Sequence, residues 1–224
     1  MSSDNNETRQ VQIAVADPTP LGLFGLSVVT FVASMQKLGV VSDVSWVIPW
    51  ALVCGSFAQL LAAYFDFCHK NIFGASIFGA FGFFWSGVAM SWMIKAGTFG
   101  AGLAAGVDPK ALGFAFLAYF MFACIGTIAA AEANTFLFVD MLLIDVLLLC
   151  LGLDTLGIGG HWAHDVAAYS ELAISLLSMY GAGAVFLNNF FGRVFWPLGK
   201  PLGIFKKVRL KALRWQYKST IRIG

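Results

Sequence analysis

Six long apolar stretches follow one another along the chain, separated by short polar or glycine-containing segments. A helix needs about 20 consecutive apolar residues to cross the hydrocarbon core of a bilayer. The six stretches are close to that length, and the segments between them are too short to hold a soluble domain. The pattern predicts an all-α, polytopic integral membrane protein with six transmembrane helices, at residues 21–41, 46–67, 72–94, 112–131, 136–153 and 166–191.

The remaining residues complete the predicted organisation around a transmembrane domain at 17–192. Residues 1–16 are polar and are expected to form a disordered cytoplasmic arm. Residues 193–224 mix apolar and basic side chains, with seven Lys or Arg after Phe205. This predicts a basic cytoplasmic amphipathic tail that forms a helix on the membrane surface, where each basic residue contributes about 1 kcal/mol. A solvated tail is the alternative, and nucleic-acid binding is not expected.

The composition supports the membrane assignment. Apolar residues make up 59% of the chain and charged residues 12%, about half the charged share of soluble domains. The four cysteines lie in or beside apolar stretches and predict small buried side chains. His161 and His164 lack an evident third ligand for a metal. With no phosphate loop, dinucleotide fingerprint or nucleophile elbow either, we expect no enzyme, cofactor or metal.

The basic residues predict the orientation, because cytoplasmic segments of membrane proteins carry an excess of Lys and Arg. Six spans place both termini on one side. If that side is the cytoplasm, eleven basic residues lie inside and only three lie outside, namely Lys37, Lys95 and Lys110. The sequence therefore predicts an integral protein of the cell membrane with both termini cytoplasmic.

Polar side chains in the second span predict a solute path. Ser56, Gln59 and Asp66 fall within about 80° of one another on a helix. A polar stripe on a membrane helix usually faces the bundle interior or a water-filled cavity. The alternative is a hydrogen bond from Gln59 to a neighbouring helix, with Asp66 reaching the cytoplasmic interface.

Acidic residues also occur in the fifth and sixth spans, at Asp140, Asp145 and Glu171. We expect no Lys or Arg inside a span to pair with them. An isolated carboxyl group in a low-dielectric interior tends to keep its proton, and such residues often have a function. The alternative is a protonated acid that is hydrogen-bonded across a helix pair.

The third span carries one continuous face of small residues. Their spacing alternates between four and three residues, which predicts close approach of a neighbouring helix. The residues are Ala75, Gly79, Gly82, Ser86 and Ala89.

The start of the first span resembles a known signature. Asp17-Pro18-Thr19-Pro20-Leu21-Gly22-Leu23 is similar to the Asn-Pro-Ala-Pro-Leu-Gly-Leu sequence of the acetate uptake transporter family, which includes the succinate–acetate/proton symporters. Prolines suit the first turn of a helix, whose N–H groups lack partners anyway. The resemblance covers about residues 17 to 200 and includes Gly55 to Gln59, Asn71-Ile72-Phe73-Gly74, Gly126-Thr127 and Phe191-Gly192-Arg193.

The resemblance implies six helices per subunit and a homo-hexamer in which each subunit has its own path. It also implies an apolar constriction of a Phe, a Tyr and a Leu, which align with Leu26, Phe81 and Met141. All three differ from the family residues, and the tyrosine hydroxyl is lost at Phe81. Asp17 replaces the leading Asn and adds a charge to the opening motif of Asp17, Pro18, Pro20 and Gly22.

The expected function is transmembrane uptake of acetate and related small carboxylates, as a proton-coupled symporter or a channel. Gln59, Asn71 and Ser76 are expected to bind the carboxylate on either side of the constriction. Asp145 follows Met141 by four residues and so shares a helix face with it, which makes it the first candidate for proton coupling. Further candidates are Asp66 and Glu171.

A second interpretation remains open at the level of the sequence. The basic tail is also typical of a membrane sensor or scaffold that responds to weak acids and signals through that tail. In either case the expected partners are a small carboxylate, protons and membrane lipid.

Overall fold

The computed structural model describes residues 15–205, which form six long helices and no strand within that range. Each of the six is long and apolar enough to cross a membrane. The prediction of an all-helical protein with six transmembrane helices is confirmed. The helices are α1 (Thr19–Lys37), α2 (Val47–Cys68), α3 (Ile72–Lys95), α4 (Pro109–Ala131), α5 (Thr135–Thr155) and α6 (Gly160–Phe191), and a short helix, Ala101–Ala105, lies between α3 and α4.

Two helix boundaries differ from the prediction by four residues or more. α1 ends at Lys37 rather than at residue 41, because Gly39 adopts a positive φ of 73° that stops the helix. α6 begins at Gly160 rather than at residue 166. The polar residues from His161 to Asp165 indicated a loop, but they form the first turns of the helix.

The odd-numbered helices begin at one end of the bundle, which we call the terminal face because residues 15–17 and 192–205 also lie there. His69, between α2 and α3, contacts the Val15 carbonyl at 2.8 Å. Asn71 and Asn134 cap α3 and α5, each by accepting a hydrogen bond from a backbone N–H three residues on. These caps satisfy N–H groups that the first helical turn leaves free.

α2 contains a π-helical stretch, Ala51–Ala58, immediately before Gln59. Such stretches are rare and occur often at functional sites. The backbone N–H of Gln59 donates to the Ser56 carbonyl, and its side-chain nitrogen donates to the Gly55 carbonyl at 2.9 Å. The π-helical stretch therefore ends where the Gln59 side chain is fixed in place.

The small-residue face of α3 packs against α2, as predicted. A Cβ atom on Gly82 would lie 2.7 Å from the Leu60 side chain, which shows how closely the two helices approach. Ser86 and Ser56 are joined by a hydrogen bond between their hydroxyl oxygens, at 2.5 Å. Ser56 therefore lies in the α2–α3 contact. The prediction that it lines a path together with Gln59 and Asp66 is wrong.

Residues 193–205 are not helical and cross the terminal face. The Phe136 N–H donates to the Leu198 carbonyl at 3.0 Å, and the Leu202 N–H donates to the Ala131 carbonyl at 2.8 Å. The predicted amphipathic helix is therefore wrong for residues 193–205, because their backbone groups bond to the residues around the α4–α5 turn instead of to one another. The rest of the tail, residues 206–224, and the arm at 1–14 lie outside the described residues.

Candidate transport cavity

A cavity of about 70 Å³ lies in the half of the bundle nearest the terminal face. On this scale one water molecule needs about 10–15 Å³, so the cavity has room for roughly five water-sized groups. The first halves of α1, α3 and α5 form most of its wall, and α2 contributes Gln59. The lining residues are Thr19, Leu23, Leu26, Gln59, Asn71, Phe73, Gly74, Ile77, Phe78, Phe81, Leu137, Asp140, Met141 and Ile144.

The structure brings the three residues aligned with the family constriction together. Leu26, Phe81 and Met141 come from α1, α3 and α5, and all three are buried and line the cavity. The Phe81 ring packs against Tyr119, with ring centroids 6.2 Å apart. A Cβ atom on Gly126 would lie 2.8 Å from the terminal methyl of Met141. Close neighbours therefore limit the movement of both side chains.

The polar part of the wall includes two of the three residues predicted to bind a carboxylate. Gln59 is fully buried, and its Oε1 atom accepts no hydrogen bond from any described residue. Asn71 lines the cavity and donates to Asp66 at 2.9 Å. Ser76 is half-buried on α3 and is not among the lining residues. Gln59 and Asn71 thus supply polar atoms to a wall that is mostly apolar.

The carboxyl group in the cavity wall belongs to Asp140, which the sequence analysis did not select as a coupling candidate. Its side chain is 3% exposed and accepts from the Ser178 hydroxyl, at 3.0 Å and 3.2 Å to its two oxygens. The spacing of the lining residues of α5, Leu137, Asp140, Met141 and Ile144, is that of a single helix face. That spacing was the signal that could have identified Asp140.

Asp145, the first candidate, lies outside the cavity. Its side chain is half-buried and accepts a hydrogen bond from the Thr127 hydroxyl of α4 at 2.7 Å. Asp145 and Met141 are four residues apart, but the cavity face extends from Met141 towards Leu137 and Asp140. Asp145 is therefore turned towards α4, and the structure does not place it one turn further along the path.

Asp66 is buried near the mouth of the cavity. It is 1% exposed, accepts from Asn71, and has one oxygen, Oδ2, without a described partner. That oxygen occupies the space beside Gly74, where a Cβ atom would have to be. Asp66 is thus enclosed between α2 and α3. The alternative interpretation, in which Asp66 reaches the cytoplasmic membrane interface, is wrong.

The expectation that no basic residue pairs with Glu171 is wrong. The Lys37 ammonium lies 2.8 Å from Glu171 Oε2, and both side chains are largely buried. Lys37 is the last residue of α1, so the pair lies in the half of the bundle away from the cavity. The pair joins the end of α1 to α6, and loss of one partner would leave the other charge buried without its counter-charge.

The outer histidines have other contacts. His164 lies 3.2 Å from Asp154 and 3.1 Å from the Lys37 carbonyl. Among the described residues, no group of His, Cys, Asp or Glu side chains is arranged to hold a metal ion. His164 connects the ends of α1 and α5 to the start of α6.

The opening motif fixes the start of α1 beside the cavity. Asp17 accepts from the Thr19 N–H and from the Asn189 side chain of α6, both at 3.0 Å. A Cβ atom on Gly22 would lie 2.6 Å from the ring of Phe78. This close approach is possible because residue 22 has no side chain, and it brings Leu23 and Leu26 to the cavity.

Several known proteins are similar to the chain. An uncharacterised protein of Methanothermobacter thermautotrophicus is 25% identical over 196 residues, which span 84% of this chain and 96% of the relative. The succinate-acetate/proton symporter SatP of Escherichia coli is 28% identical over 187 residues, 83% of this chain and 96% of SatP. Acetate permease A of Emericella nidulans is 27% identical over 146 residues, 61% of this chain and 48% of the permease.

The solved structure of the bacterial acetate channel SatP has the same fold. It matches with a TM-score of 0.77 at 22% sequence identity, over 83% of this chain and all of the channel chain. The six hydrophobic helices, together with relatives that are named as transporters, identify an integral membrane protein. Residues 3–196 match the sequence profile of the GPR1/FUN34/yaaH family, and the chain belongs to that family.

Proposed function

We propose that this protein carries acetate and related small monocarboxylates across a membrane, as a proton-coupled symporter or a channel. The observation that carries the proposal is the cavity of about 70 Å³ that Leu26, Phe81 and Met141 line together. Its size fits a two-carbon carboxylate better than a sugar or an amino acid with a long side chain. The names of the bacterial symporter and the fungal permease support the same class of solute.

The wall suits brief binding of a small carboxylate. Leu26, Phe81 and Met141 offer no hydrogen bonds, so a solute that passes them loses most of its water. Moving a charge into such a site is costly, and this favours a small solute that carries at most one charge. Gln59 and Asn71 offer polar contacts beside these three side chains. So few contacts allow binding that is weak enough for release.

The proposal extends to assembly and orientation. We infer that the terminal face, with Asp17 at the cavity mouth, lies on the cytoplasmic side, because the described chain ends at this face and its continuation, residues 206–224, carries seven Lys or Arg. We further infer a homo-hexamer in which each subunit keeps its own path. The exposed aromatic side chains on the outer surfaces of the helices, such as Phe83, Phe114 and Phe186, suit contact with lipid or a neighbouring subunit.

Uptake of radiolabelled acetate into proteoliposomes tests the proposal, with protein-free liposomes measured in parallel to subtract acid that crosses the lipid. Met141→Trp is the matched control, since a larger side chain should fill the narrow part of the cavity. We expect protein-dependent uptake that this substitution lowers at least about tenfold. Competition by unlabelled formate, propionate, succinate and bicarbonate ranks the solutes. Uptake that is the same with wild-type protein, with Met141→Trp and without protein contradicts the proposal.

A further inference from the structure

We propose that Asp140 shares one proton with the carboxylate group of the solute, so that the anion occupies the cavity only together with a proton. The inference rests on the proposed function, because it takes the solute to be a carboxylate. It assigns to Asp140 a role that the sequence analysis gave to Asp145. It also makes proton coupling a property of the cavity wall itself.

The first step is the placement of charge. Asp140 is the ionisable side chain among the described residues that line the cavity, and no Lys, Arg or His is among them. It immediately precedes Met141 in the chain and shares the cavity face of α5. A carboxylate that enters the cavity therefore comes close to a second carboxyl group and meets no cation in the wall.

The second step is electrostatic. Two ionised carboxylates at close range in a low-dielectric site repel each other strongly, and one of such a pair holds a proton instead. A neutral carboxyl beside an anionic one forms a charge-assisted O–H···O bond, which is among the strongest hydrogen bonds in proteins. The same proton thus removes the repulsion and binds the solute.

The surroundings of Asp140 leave its proton available to the solute. The Ser178 hydroxyl donates to Asp140 and so occupies lone pairs of the carboxyl, not its O–H group. With Asp140 neutral and its lone pairs engaged by Ser178, the O–H is left to donate towards the cavity. The serine thereby orients the carboxyl without competing for the proton.

Charged and titratable groups on the packed helices do not offer Asp140 another partner. α2 presents Asp66, whose Oδ1 accepts from Asn71 and whose Oδ2 lies against Gly74, and α4 presents the Tyr119 phenol, which packs on Phe81. α1 and α6 present Lys37 and Glu171, which pair with each other. Asp145, on the same helix as Asp140, faces Thr127.

Gln59 supplies an independent observation. Its Oε1 atom is buried in the cavity wall and has no described donor. A buried acceptor without a donor is unfavourable, and a carboxylate anion cannot relieve it because the anion has no hydrogen to donate. A protonated acid can. Gln59 therefore also favours the solute in its protonated form.

The proton balance of one cycle follows. The neutral Asp140 O–H donates to an entering anion, and the proton passes to the solute oxygen as the O–H bond of Asp140 breaks and that of the acid forms. The neutral acid then leaves, and the Asp140 carboxylate takes a proton from water on the side from which the next anion enters. One proton accompanies one carboxylate in the same direction.

Asp140→Asn, compared with Asp145→Asn, tests the inference in proteoliposomes. Asparagine keeps the shape and an acceptor for Ser178 but cannot exchange a proton. With wild-type protein, an inwardly directed proton gradient should accelerate uptake of radiolabelled acetate. In Asp140→Asn, we expect the acceleration of uptake by the proton gradient to be at least about tenfold smaller than in wild-type protein. Asp145→Asn should keep the wild-type acceleration. Full acceleration in Asp140→Asn, or equal loss in both variants, overturns the inference.

A second measurement applies if Asp140→Asn gives no uptake at all. The infrared difference spectrum on adding acetate to the purified wild-type protein should show a change in the C=O band of a protonated carboxyl group. Asp140→Glu should retain that change and Asp140→Asn should lack it. A band change that persists in Asp140→Asn overturns the inference. If wild-type protein gives no uptake above protein-free liposomes, the proposed function fails instead.

Discussion

Two buried acids in this bundle have opposite surroundings. Glu171 lies in the half away from the cavity and pairs with Lys37 at 2.8 Å. Asp140 lies in the cavity wall and has a serine hydroxyl as its hydrogen-bond partner. Ser178 and Glu171 are seven residues apart on α6, so roughly 10 Å of one helix separates the two environments. Glu171 has a counter-charge, whereas Asp140 has no charged partner among the described residues and lies beside a cavity, where it is free to exchange a proton.

Among substitutions that change these two environments, the largest effect should come from substitution of Glu171. Glu171→Gln leaves the Lys37 ammonium largely buried without its counter-charge, and removing one member of a buried pair costs about 3–5 kcal/mol. We expect a corresponding loss in the free energy of unfolding, measured in detergent micelles. The double variant Lys37→Met, Glu171→Leu is the control, since it removes both charges and should recover most of the loss. A loss below 1 kcal/mol in Glu171→Gln would show that the pair is exposed in solution.

Asp140→Asn should affect stability less than Glu171→Gln. The amide keeps the hydrogen bond with Ser178 and removes no paired charge, so the expected cost is about 1 kcal/mol. The unfolding measurement on the two variants side by side checks this order. If Asp140→Asn proves the more destabilising of the two, Asp140 mainly stabilises the core, and the contrast between the two acids is wrong.

Ser178→Ala should have a smaller effect on transport than Asp140→Asn. The substitution removes one hydrogen bond, at a cost of about 1 kcal/mol, and it leaves the Asp140 carboxyl in the cavity. We expect acetate uptake to remain dependent on the proton gradient, with a rate lowered by no more than several-fold. Loss of the gradient dependence in Ser178→Ala would move the coupling role from Asp140 to the Ser178–Asp140 pair.

Deletion of residues 206–224 should have the smallest effect. The cavity and the segment that crosses the terminal face lie within residues 15–205, and none of the described contacts of the cavity needs the deleted part. We expect the uptake rate per folded protein to stay within about twofold of the full chain. A sensor that signals through its basic tail would instead lose its output, and loss of uptake would show that the tail belongs to the path.

Much of this arrangement could be predicted from the sequence. The length of the apolar stretches predicts the six helices, and the motifs fix the alignment of the residues that line the cavity. Leu26 and Phe81 lie close to the opening motif and to Asn71–Gly74, so the alignment placed them where the structure has them. The pairing of Lys37 with Glu171 could not be predicted in this way. The two residues are 134 positions apart in the chain, and only the packing of α1 on α6 brings them together.

Asp145 shows a different limit. A spacing of four residues places two side chains on neighbouring parts of a helix face but does not say on which side of Met141 the cavity continues. The answer depends on the position of α3 and α1 around α5. The π-helical stretch in α2 is equally hidden from the sequence, since the apolar pattern of Ala51–Ala58 fits an α-helix as well.

The number of protons that accompany each acetate is the most direct test of the proposal that Asp140 couples one proton to each carboxylate. It can be measured in one proteoliposome sample from radiolabelled acetate uptake and a pH-sensitive dye in the lumen, with the signal of protein-free liposomes subtracted. We expect about one proton per acetate for wild-type protein and for Asp145→Asn, and a ratio close to zero for any uptake that remains in Asp140→Asn. An unchanged ratio in Asp140→Asn would contradict the account.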